Sequence, residues 1–367
     1  MIVMTPSPFR LDLTRRMTYR PTIRFILVWA LGLLPCALAL GATTGTPNVI
    51  SLASVSAVTA DVETGELLVA KHVDAVMSIA SITKLMTAMV VLDSGASLNE
   101  WLGIGDWESK LGKNAYSRIR ITSQARRTDL LRIALMSSEN RAAYNLGLNH
   151  PGGIGAFVTA MNAKAKSLGM TRSNFVDPMG LSPDNRSTAR DLARMVTAAH
   201  RYPEIRDYST TRQYTVRFRA PRYKLGYGNT NPLTGSSRWN VQLSKTGYLK
   251  ESGRCLVMVT EADGQVVAMV MLNSLGTRSP LGDAGRMRRY LETGARGNVA
   301  KAARDYERKM IRSYGLETSL ETSSKTPSKT SAKTSAKTPA KMPAKTSAKT
   351  SAKMPAETFT QGQNLRG

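Results

Sequence analysis

The chain has 367 residues and a formal net charge of +25, from 51 lysines and arginines against 26 aspartates and glutamates. Its hydrophobic fraction of 42% can bury a core, which excludes wholesale disorder, and its length accommodates one large domain or two ordinary ones. Two cysteines are too few for a disulfide scaffold, and three scattered histidines do not form a zinc-site pattern. We therefore expect neither a metal nor another cofactor.

The first 42 residues are predicted to be an export signal. Five arginines precede an apolar run over residues 25–40, which ends in small residues at Ala37, Ala39 and Ala42. A charged start, a short apolar segment and an exit of small residues are typical of a secretory signal. The run is shorter than the ~20 apolar residues of a membrane span and contains Pro35, which favours the signal over the alternative, an uncleaved membrane anchor.

Residues 50–296 are predicted to form one globular body. An early β-hairpin is indicated by two apolar segments, 56–62 and 66–72, on either side of a turn that contains glycine. Helical spacing of apolar residues predicts helices over 81–92, 128–136, 153–168, 188–200 and 280–293. Apolar runs predict late strands over 239–247, 254–261 and 265–273. Strands at both ends and helices between them predict an α+β fold, in which the early hairpin joins the late sheet.

The last segment, residues 297–367, is predicted to be a disordered basic tail. A lysine recurs at every fourth position from Lys325 to Lys353, separated by Ser, Thr, Ala, Pro and Met. Such residues bury too little apolar surface to offset the entropy of ordering the chain. We interpret the segment either as a solubilising tail or as an electrostatic contact to an anionic partner: cell wall, membrane surface or nucleic acid.

Three short polar motifs stand in order on the globular body: Ser81 with Lys84, Ser138 with Asn140, and the tripeptide Lys245-Thr246-Gly247. Each alone is a weak signal, because serine and asparagine commonly cap helices and a glycine often marks a strand bulge. Their placement makes the set informative. The first motif opens a predicted helix, the second follows a predicted helix end, and the third lies inside a predicted strand.

The first motif has the spacing for nucleophilic catalysis. Ser81 and Lys84 are three residues apart at a helix start, so both side chains lie on one face within mutual reach. A serine hydroxyl becomes a good nucleophile when a base takes its proton, and a lysine is a base only when it is neutral. We expect burial and a second cation, Lys245, to lower the pKa of Lys84 from about 10.4 towards neutrality. The backbone N–H groups at the helix start can hold an acyl oxyanion.

The three motifs together resemble those of the penicilloyl serine transferases. The sequence around them, over residues 80–89, 135–143, 187–192 and 243–248, is similar to the D-alanyl-D-alanine endopeptidase branch of the low-molecular-mass penicillin-binding proteins. The resemblance covers about residues 53–294. It implies a β-lactamase/DD-peptidase-like fold, with an antiparallel sheet, flanking helices and a helical subregion that carries the nucleophile.

The resemblance also implies a role for each motif residue. Ser81 would attack the carbonyl of a D-alanine and form an acyl-enzyme, with Lys84 as general base. Ser138 would relay a proton to the departing amine, and Asn140 would bind the substrate backbone and help to position Lys84. The remaining implied substrate-binding residues lie together on one strand: Lys245 and Thr246 for a carboxylate, then Gly247, then Tyr248, whose N–H would complete the oxyanion hole with that of Ser81.

The implied substrate is a peptidoglycan peptide, and β-lactams are the implied covalent inhibitors. The predicted export signal places such an enzyme in the periplasm, with membrane association left open. Glu139 stands where related families more often have Asp or Gly, which suits the endopeptidase branch. A D-alanyl-D-alanine carboxypeptidase remains an alternative, because both activities use the same catalytic groups. An alternative of another class is a catalytically inactive basic protein that binds cell-wall polymer or nucleic acid.

Overall fold

The computed structural model describes residues 50–106 and 116–316. The predicted export signal (1–42) and the lysine repeats (325–353) lie outside these residues. Within the described ranges, no helix combines the length and the apolar character that crossing a membrane would need.

The described residues form strands and α-helices that alternate along the chain. The strands are β1 (Ser54–Asp61), β2 (Leu67–Lys71), β3 (Met77–Ser78), β4 (Trp101–Gly103), β5 (Gln124–Arg126), β6 (Arg186–Ser187), β7 (Gln213–Phe218), β8 (Tyr223–Gly228), β9 (Leu243–Leu249), β10 (Gly253–Ala262) and β11 (Gln265–Ser274). The α-helices are α1 (Thr83–Asp93), α2 (Arg127–Met136), α3 (Asn140–Leu148), α4 (Gly153–Ser167), α5 (Ala189–His200), α6 (Pro203–Thr210), α7 (Ser279–Thr293) and α8 (Lys301–Ser313).

Five strands form one antiparallel sheet in the order β2-β1-β11-β10-β9. Helices cover both faces of this sheet, so its central strands are apolar on both sides. Val267, Met269 and Met271 of β11 belong to a cluster with Met287 of α7, whereas residues 268, 270 and 272 belong to the larger cluster formed with α1–α5. This alternation follows from the period-2 geometry of a strand. The predicted α+β fold, with the early hairpin joined to the late sheet, is confirmed.

The helix α1 lies in the middle of the larger cluster. Its residues from Thr83 to Val91 are all buried, so it is apolar around most of its circumference. A helix of that kind is stable only when other elements surround it. A 3₁₀ turn, Ala80–Ile82, leads directly into α1 and places residue 81 at the edge of the core. The helix thereby fixes one wall of the site described below.

The structure corrects the predicted start of the tail at residue 297, because residues 301–313 form the helix α8. Ala303 is buried, and Tyr306 and Met310 pack against the core, at spacings of three and four residues that place them on one face. Glu307 forms an ion pair with the buried Lys71 at 2.7 Å. The helix was missed because its basic residues resemble the composition of the tail that follows it.

Other differences from the predicted elements are local. The strand predicted over 239–247 begins at Leu243, because residues 237–239 form a 3₁₀ turn and Asn240 adopts a left-handed φ of 41°. The helices α3 and α6 were not predicted, since they span only 9 and 8 residues, which is too short for a helical pattern to repeat more than twice. The hairpin β7–β8 was also missed, because its outer positions are polar and its sequence lacks a long apolar run.

Candidate active site

The first motif forms a direct contact at the start of α1. Ser81 lies in the 3₁₀ turn, and Lys84 lies one turn further on, with its Nζ 2.8 Å from the Oγ of Ser81. The same Nζ donates to Asn140 Oδ1 at 2.8 Å and to the Met179 carbonyl oxygen at 2.6 Å. The amine is therefore held by three oxygen atoms from three different parts of the chain.

The environment of Lys84 favours its neutral form. The side chain is only 1% exposed, and this burial lowers the pKa of the amine from 10.5 to about 7. The charges of Asp177 and Glu139 act in the opposite direction, but they are smaller effects. None of the oxygen atoms in hydrogen-bond contact with Nζ belongs to a carboxylate. A substantial fraction of Lys84 is therefore a free base near neutral pH.

A loop over residues 177–182 supplies the Met179 carbonyl. The carboxylate of Asp177 accepts backbone N–H bonds from Met179 at 2.7 Å, Gly180 at 2.6 Å and Ser182 at 2.8 Å, which fixes the loop in one shape. Gly180 has a φ of +77°, and a Cβ at this position would lie 2.0 Å from the carbonyl oxygen of Ala80. The loop therefore runs directly against the turn that carries Ser81, and only glycine fits there.

Sequence reasoning missed this loop. Asp177 and Pro178 precede Gly180, and an aspartate and a proline shortly before a glycine are a turn signal. That signal gives the turn but not its neighbours. The contact with Ala80 and Lys84 joins segments about a hundred residues apart, which no local pattern reveals.

The second motif connects α2 to α3. Ser138 has a φ of +61°, in the left-handed region that costs energy for a residue with a side chain, and such strain is often found at functional sites. Glu139 caps α3 by accepting the Arg141 N–H at 3.0 Å, and burial raises the pKa of its carboxyl group. Asn140 begins α3 and directs its Oδ1 to Lys84. Ser138 and Asn140 line the same cleft as Ser81.

The third motif lies on β9 at the edge of the sheet. Lys245 is buried, and burial, followed by the charge of Lys84, lowers its pKa well below the ordinary value. Lys245 is thus a weaker source of positive charge than we expected, and burial is the main reason that Lys84 titrates low. Lys245 donates to the Thr246 carbonyl at 2.8 Å, and Thr246 Oγ1 lies 2.7 Å from Thr230 Oγ1.

Gly247 allows β9 to approach Ser81. A Cβ at this position would lie 3.0 Å from the Ile79 carbonyl oxygen and 3.3 Å from the Ser81 nitrogen. The absence of a side chain brings the backbone of β9 against the 3₁₀ turn. Tyr248 follows on the strand with half of its surface exposed, 49%.

These residues surround a cleft of about 600 Å³. Ser81, Ser138 and Asn140 form one wall, and the residues from Thr246 to Tyr248 form the opposite wall. The cleft continues past Ser81 to two further side chains, Arg254 of β10 and Arg278 just before α7. The structure thus brings all three motifs to one site, with the two buried lysines beneath its surface.

Comparisons with known proteins agree with this geometry. A family model described as D-alanyl-D-alanine carboxypeptidase, peptidase family S11, matches residues 42–276. A D-alanyl-D-alanine endopeptidase of Pseudomonas aeruginosa is 49% identical over 272 residues, which are 74% of this chain and 88% of that protein. A D-alanyl-D-alanine endopeptidase of Escherichia coli K12 is 44% identical over 283 residues, 77% of this chain and 91% of that protein.

Solved structures show the same fold. The DD-transpeptidase of Streptomyces K15 superposes with a TM-score of 0.62 at 27% identity and covers 66% of this chain and 98% of its own. Penicillin-binding protein D2 of Listeria monocytogenes, in its cefotaxime-bound form, gives a TM-score of 0.57 at 30% identity, over 66% and 97%. The protein therefore belongs to peptidase family S11, the serine D-alanyl-D-alanine peptidases.

Proposed function

We propose that this protein is a DD-endopeptidase that hydrolyses D-alanyl cross-links of peptidoglycan through an acyl-enzyme on Ser81. The observation that carries the proposal is the 2.8 Å contact between Ser81 Oγ and Lys84 Nζ, on an amine whose pKa burial lowers to about 7. The two relatives at 49% and 44% identity are named endopeptidases, which supports a cross-link as the substrate.

Lys84 acts as the general base for acylation. A neutral amine has two N–H groups and one lone pair, and Lys84 has two carbonyl-type acceptors, Asn140 Oδ1 and Met179 O, for those N–H groups. Its lone pair is then left for the Ser81 hydroxyl, which donates its proton as Oγ attacks the D-alanine carbonyl. This arrangement orients the base before the substrate binds, which lowers the entropic cost of reaching the transition state.

The negative charge that develops on the carbonyl oxygen needs N–H donors. The backbone N–H groups of Ser81 and Tyr248 supply them, and the close approach of β9 at Gly247 brings the two segments together. Each donor in such an oxyanion hole contributes on the order of 10²-fold to 10³-fold in rate.

The departing half of the substrate lies between the second and third motifs. Ser138 passes a proton to the departing amine, and Asn140 binds the substrate backbone. Lys245 and Thr246 bind the carboxylate beside the departing amine, and the arriving carboxylate favours the protonated form of Lys245. Water then hydrolyses the acyl-enzyme. A β-lactam, whose strained amide is opened by the same serine, remains attached and inhibits the enzyme.

The acyl-enzyme is tested with a fluorescent penicillin. We expect the wild-type protein to be labelled covalently and Ser81→Ala to lose the label completely. Ser167→Ala, at an exposed position on α4, is the matched control and should be labelled like the wild type. A folded wild-type protein that takes no label contradicts the proposal and favours the alternative of an inactive basic binding protein.

The substrate preference is tested with purified cross-linked muropeptide dimers. An endopeptidase converts dimers to monomers. A carboxypeptidase, the activity in the description of the family model, releases only terminal D-alanine and leaves the dimers intact. We expect monomers as the main product, and unchanged dimers with free D-alanine would assign the carboxypeptidase activity instead.

The two ends of the chain suggest where the enzyme works. We infer export to the periplasm from the signal pattern in residues 1–42, and a role in cell-wall turnover and cell shape follows from the substrate. N-terminal sequencing of the mature protein tests the signal. The lysine repeats of residues 325–353 support an electrostatic contact with an anionic surface. Salt-sensitive retention on isolated cell wall, anionic vesicles or DNA, lost when residues 317–367 are removed, tests that contact and separates the three partners.

A further inference from the structure

The proposed mechanism leaves one charged feature of the cleft unused. Two arginines, Arg254 and Arg278, line the cleft, and among the described residues that line it there is no aspartate or glutamate. A cleft with cationic groups and no anionic ones favours an anionic substrate. In the proposed mechanism, Lys245 and Thr246 bind the carboxylate beside the departing amine. An anionic group that binds to Arg254 must therefore be a different part of the substrate.

The conformation of β10 directs Arg254 into the cleft. Gly253 has a φ of +58°, and the pairing of β10 with β11 shifts register between Arg254 and Leu256, as at a β-bulge. A bulge bends a strand and turns a side chain away from the regular alternation. Arg254 pairs across the sheet with Tyr248 of β9, and its guanidinium lies 3.9 Å from the centre of the Tyr248 ring.

This stacking leaves the hydrogen-bonding edge of Arg254 available. A guanidinium stacked on an aromatic ring uses its flat face, whereas its N–H donors point outward in the plane. Among the described residues, no carboxylate forms an ion pair with Arg254. The Tyr248 ring therefore holds a guanidinium in place without satisfying its donors.

The position of Arg254 on β10, opposite Tyr248 of β9, identifies which part of the substrate it meets. In the binding mode proposed above, Thr246 faces the departing half of the substrate. Gly247 lies against Ser81, and Tyr248 is the next residue of β9, on the side of the retained acyl half. A substrate residue in extended conformation spans about 3.3 Å, similar to one strand residue. Arg254, beside Tyr248, is thus level with the residue that precedes the attacked D-alanine.

We propose that Arg254 is a specificity residue that binds a carboxylate on the side chain of that preceding residue. This inference rests on the proposed DD-peptidase function and adds a preference to it: donor peptides with a free side-chain carboxylate on the residue before the attacked D-alanine. Planar guanidinium and carboxylate groups form two parallel hydrogen bonds, which makes such a contact selective as well as strong.

The test uses two cross-linked dimers that differ only in that donor carboxylate, free in one and amidated in the other. We expect the wild-type kcat/KM to favour the free carboxylate by about 10-fold or more, the size of a charge-assisted hydrogen bond. In Arg254→Gln this ratio should fall to near 1, and in Arg254→Lys to an intermediate value, because lysine keeps the charge but not the paired donors. Arg289→Gln, which removes an exposed arginine of α7 outside the cleft, should keep the wild-type ratio.

The outcomes separate the two proposals. If the wild type cleaves both dimers with equal kcat/KM, or if Arg254→Gln keeps the wild-type ratio, the assignment of Arg254 is wrong while the peptidase function stands. If Arg254→Gln loses activity equally on both dimers, the ratio stays at its wild-type value, and this result also overturns the assignment of Arg254. If the wild type cleaves neither dimer and takes no penicillin label, the proposed function itself fails.

Discussion

Two regions of the molecule each bury a lysine and use it differently. Lys84, beneath the cleft, is 1% exposed, and Lys71, beneath α8, is 8% exposed. Each amine contacts three oxygen atoms. For Lys71 they are the carbonyls of Leu52 and Ser54, at 2.7 and 2.8 Å, and the carboxylate of Glu307 at 2.7 Å. For Lys84 all three belong to neutral groups.

The difference lies in one carboxylate. The carboxylate of Glu307 forms an ion pair with Lys71, and this pair ties two elements together, β2 and α8. At Lys84 the neutral acceptors satisfy the N–H groups of the amine but do not compensate for a buried positive charge. Burial therefore lowers the pKa of Lys84 to about 7. The choice of the third partner thus decides whether a buried lysine acts as a structural tie or as a base.

Among the substitutions that test this comparison, Gly180→Ala is expected to have the largest effect, because it disrupts the Lys84 site. The new Cβ would collide with the Ala80 carbonyl at 2.0 Å and displace the Met179 carbonyl that holds the amine. A shift of that size should lower the rate of acylation by fluorescent penicillin about 100-fold. Gly65→Ala is the control, since Gly65 has a similar φ of +76° but no atom near its Cβ position. Equal acylation rates in the two folded variants would contradict the prediction.

Asn140→Asp converts the Lys84 site into one like that of Lys71. A carboxylate 2.8 Å from Nζ should raise the pKa of Lys84 by about one unit or more, since it favours the protonated amine. The acylation rate at pH 7 should then fall on the order of 10-fold, and it should recover at higher pH. Asn149→Asp, at the other end of α3, is the control. A lower rate with an unshifted pH profile would show that Asn140 acts only through the substrate.

The pH profile of the wild type sharpens the comparison without a substitution. Because the pKa of Lys84 is lowered, its neutral form increases as the pH rises through about 7. The acylation rate should rise roughly fivefold between pH 6 and pH 7 and only about twofold above that. Stopped-flow labelling with fluorescent penicillin across pH 5–9 measures this pH dependence of the acylation rate. A rate that climbs steadily to pH 9 would mean that the amine keeps an ordinary pKa.

The smallest effect on chemistry is expected from Glu307→Gln. It leaves the buried Lys71 without its carboxylate, which should lower the free energy of unfolding by about 1–3 kcal/mol. The acylation rate of the folded protein should stay close to that of the wild type, because the site lies elsewhere. Glu292→Gln removes a partner from a surface ion pair with Arg288, and it should cost less than about 1 kcal/mol. Equal melting temperatures for the two variants would show that the Lys71 pair is not a structural tie.

The nucleophile side of the site was largely predictable from sequence. Ser81 and Lys84 are close in the chain, and helical geometry alone puts them in contact. The strand that carries Lys245 was also predictable, because its apolar pattern is continuous with the core. These inferences depend on local periodicity, which a sequence displays directly.

The supporting residues were not predictable in the same way. Asp177 and Gly180 act through contacts with a turn about a hundred residues earlier, and Glu307 acts through a lysine on the second strand. The helix α8 was assigned to the tail because most of its residues are charged and its few apolar residues form only one narrow stripe. Such roles depend on which distant segments contact one another in the folded chain, and local sequence patterns do not show these contacts.

The sheet has a consequence for how the protein is made. β1 pairs with β11, so that Ser54 lies opposite Ser274, 220 residues later in the chain. At a synthesis rate of about 5–20 residues per second, the first strand waits on the order of 10–40 s for its neighbour to exist. The central sheet therefore forms only after nearly all of the domain has been translated. This delay leaves time for a chaperone or a translocation channel to bind the unfolded chain.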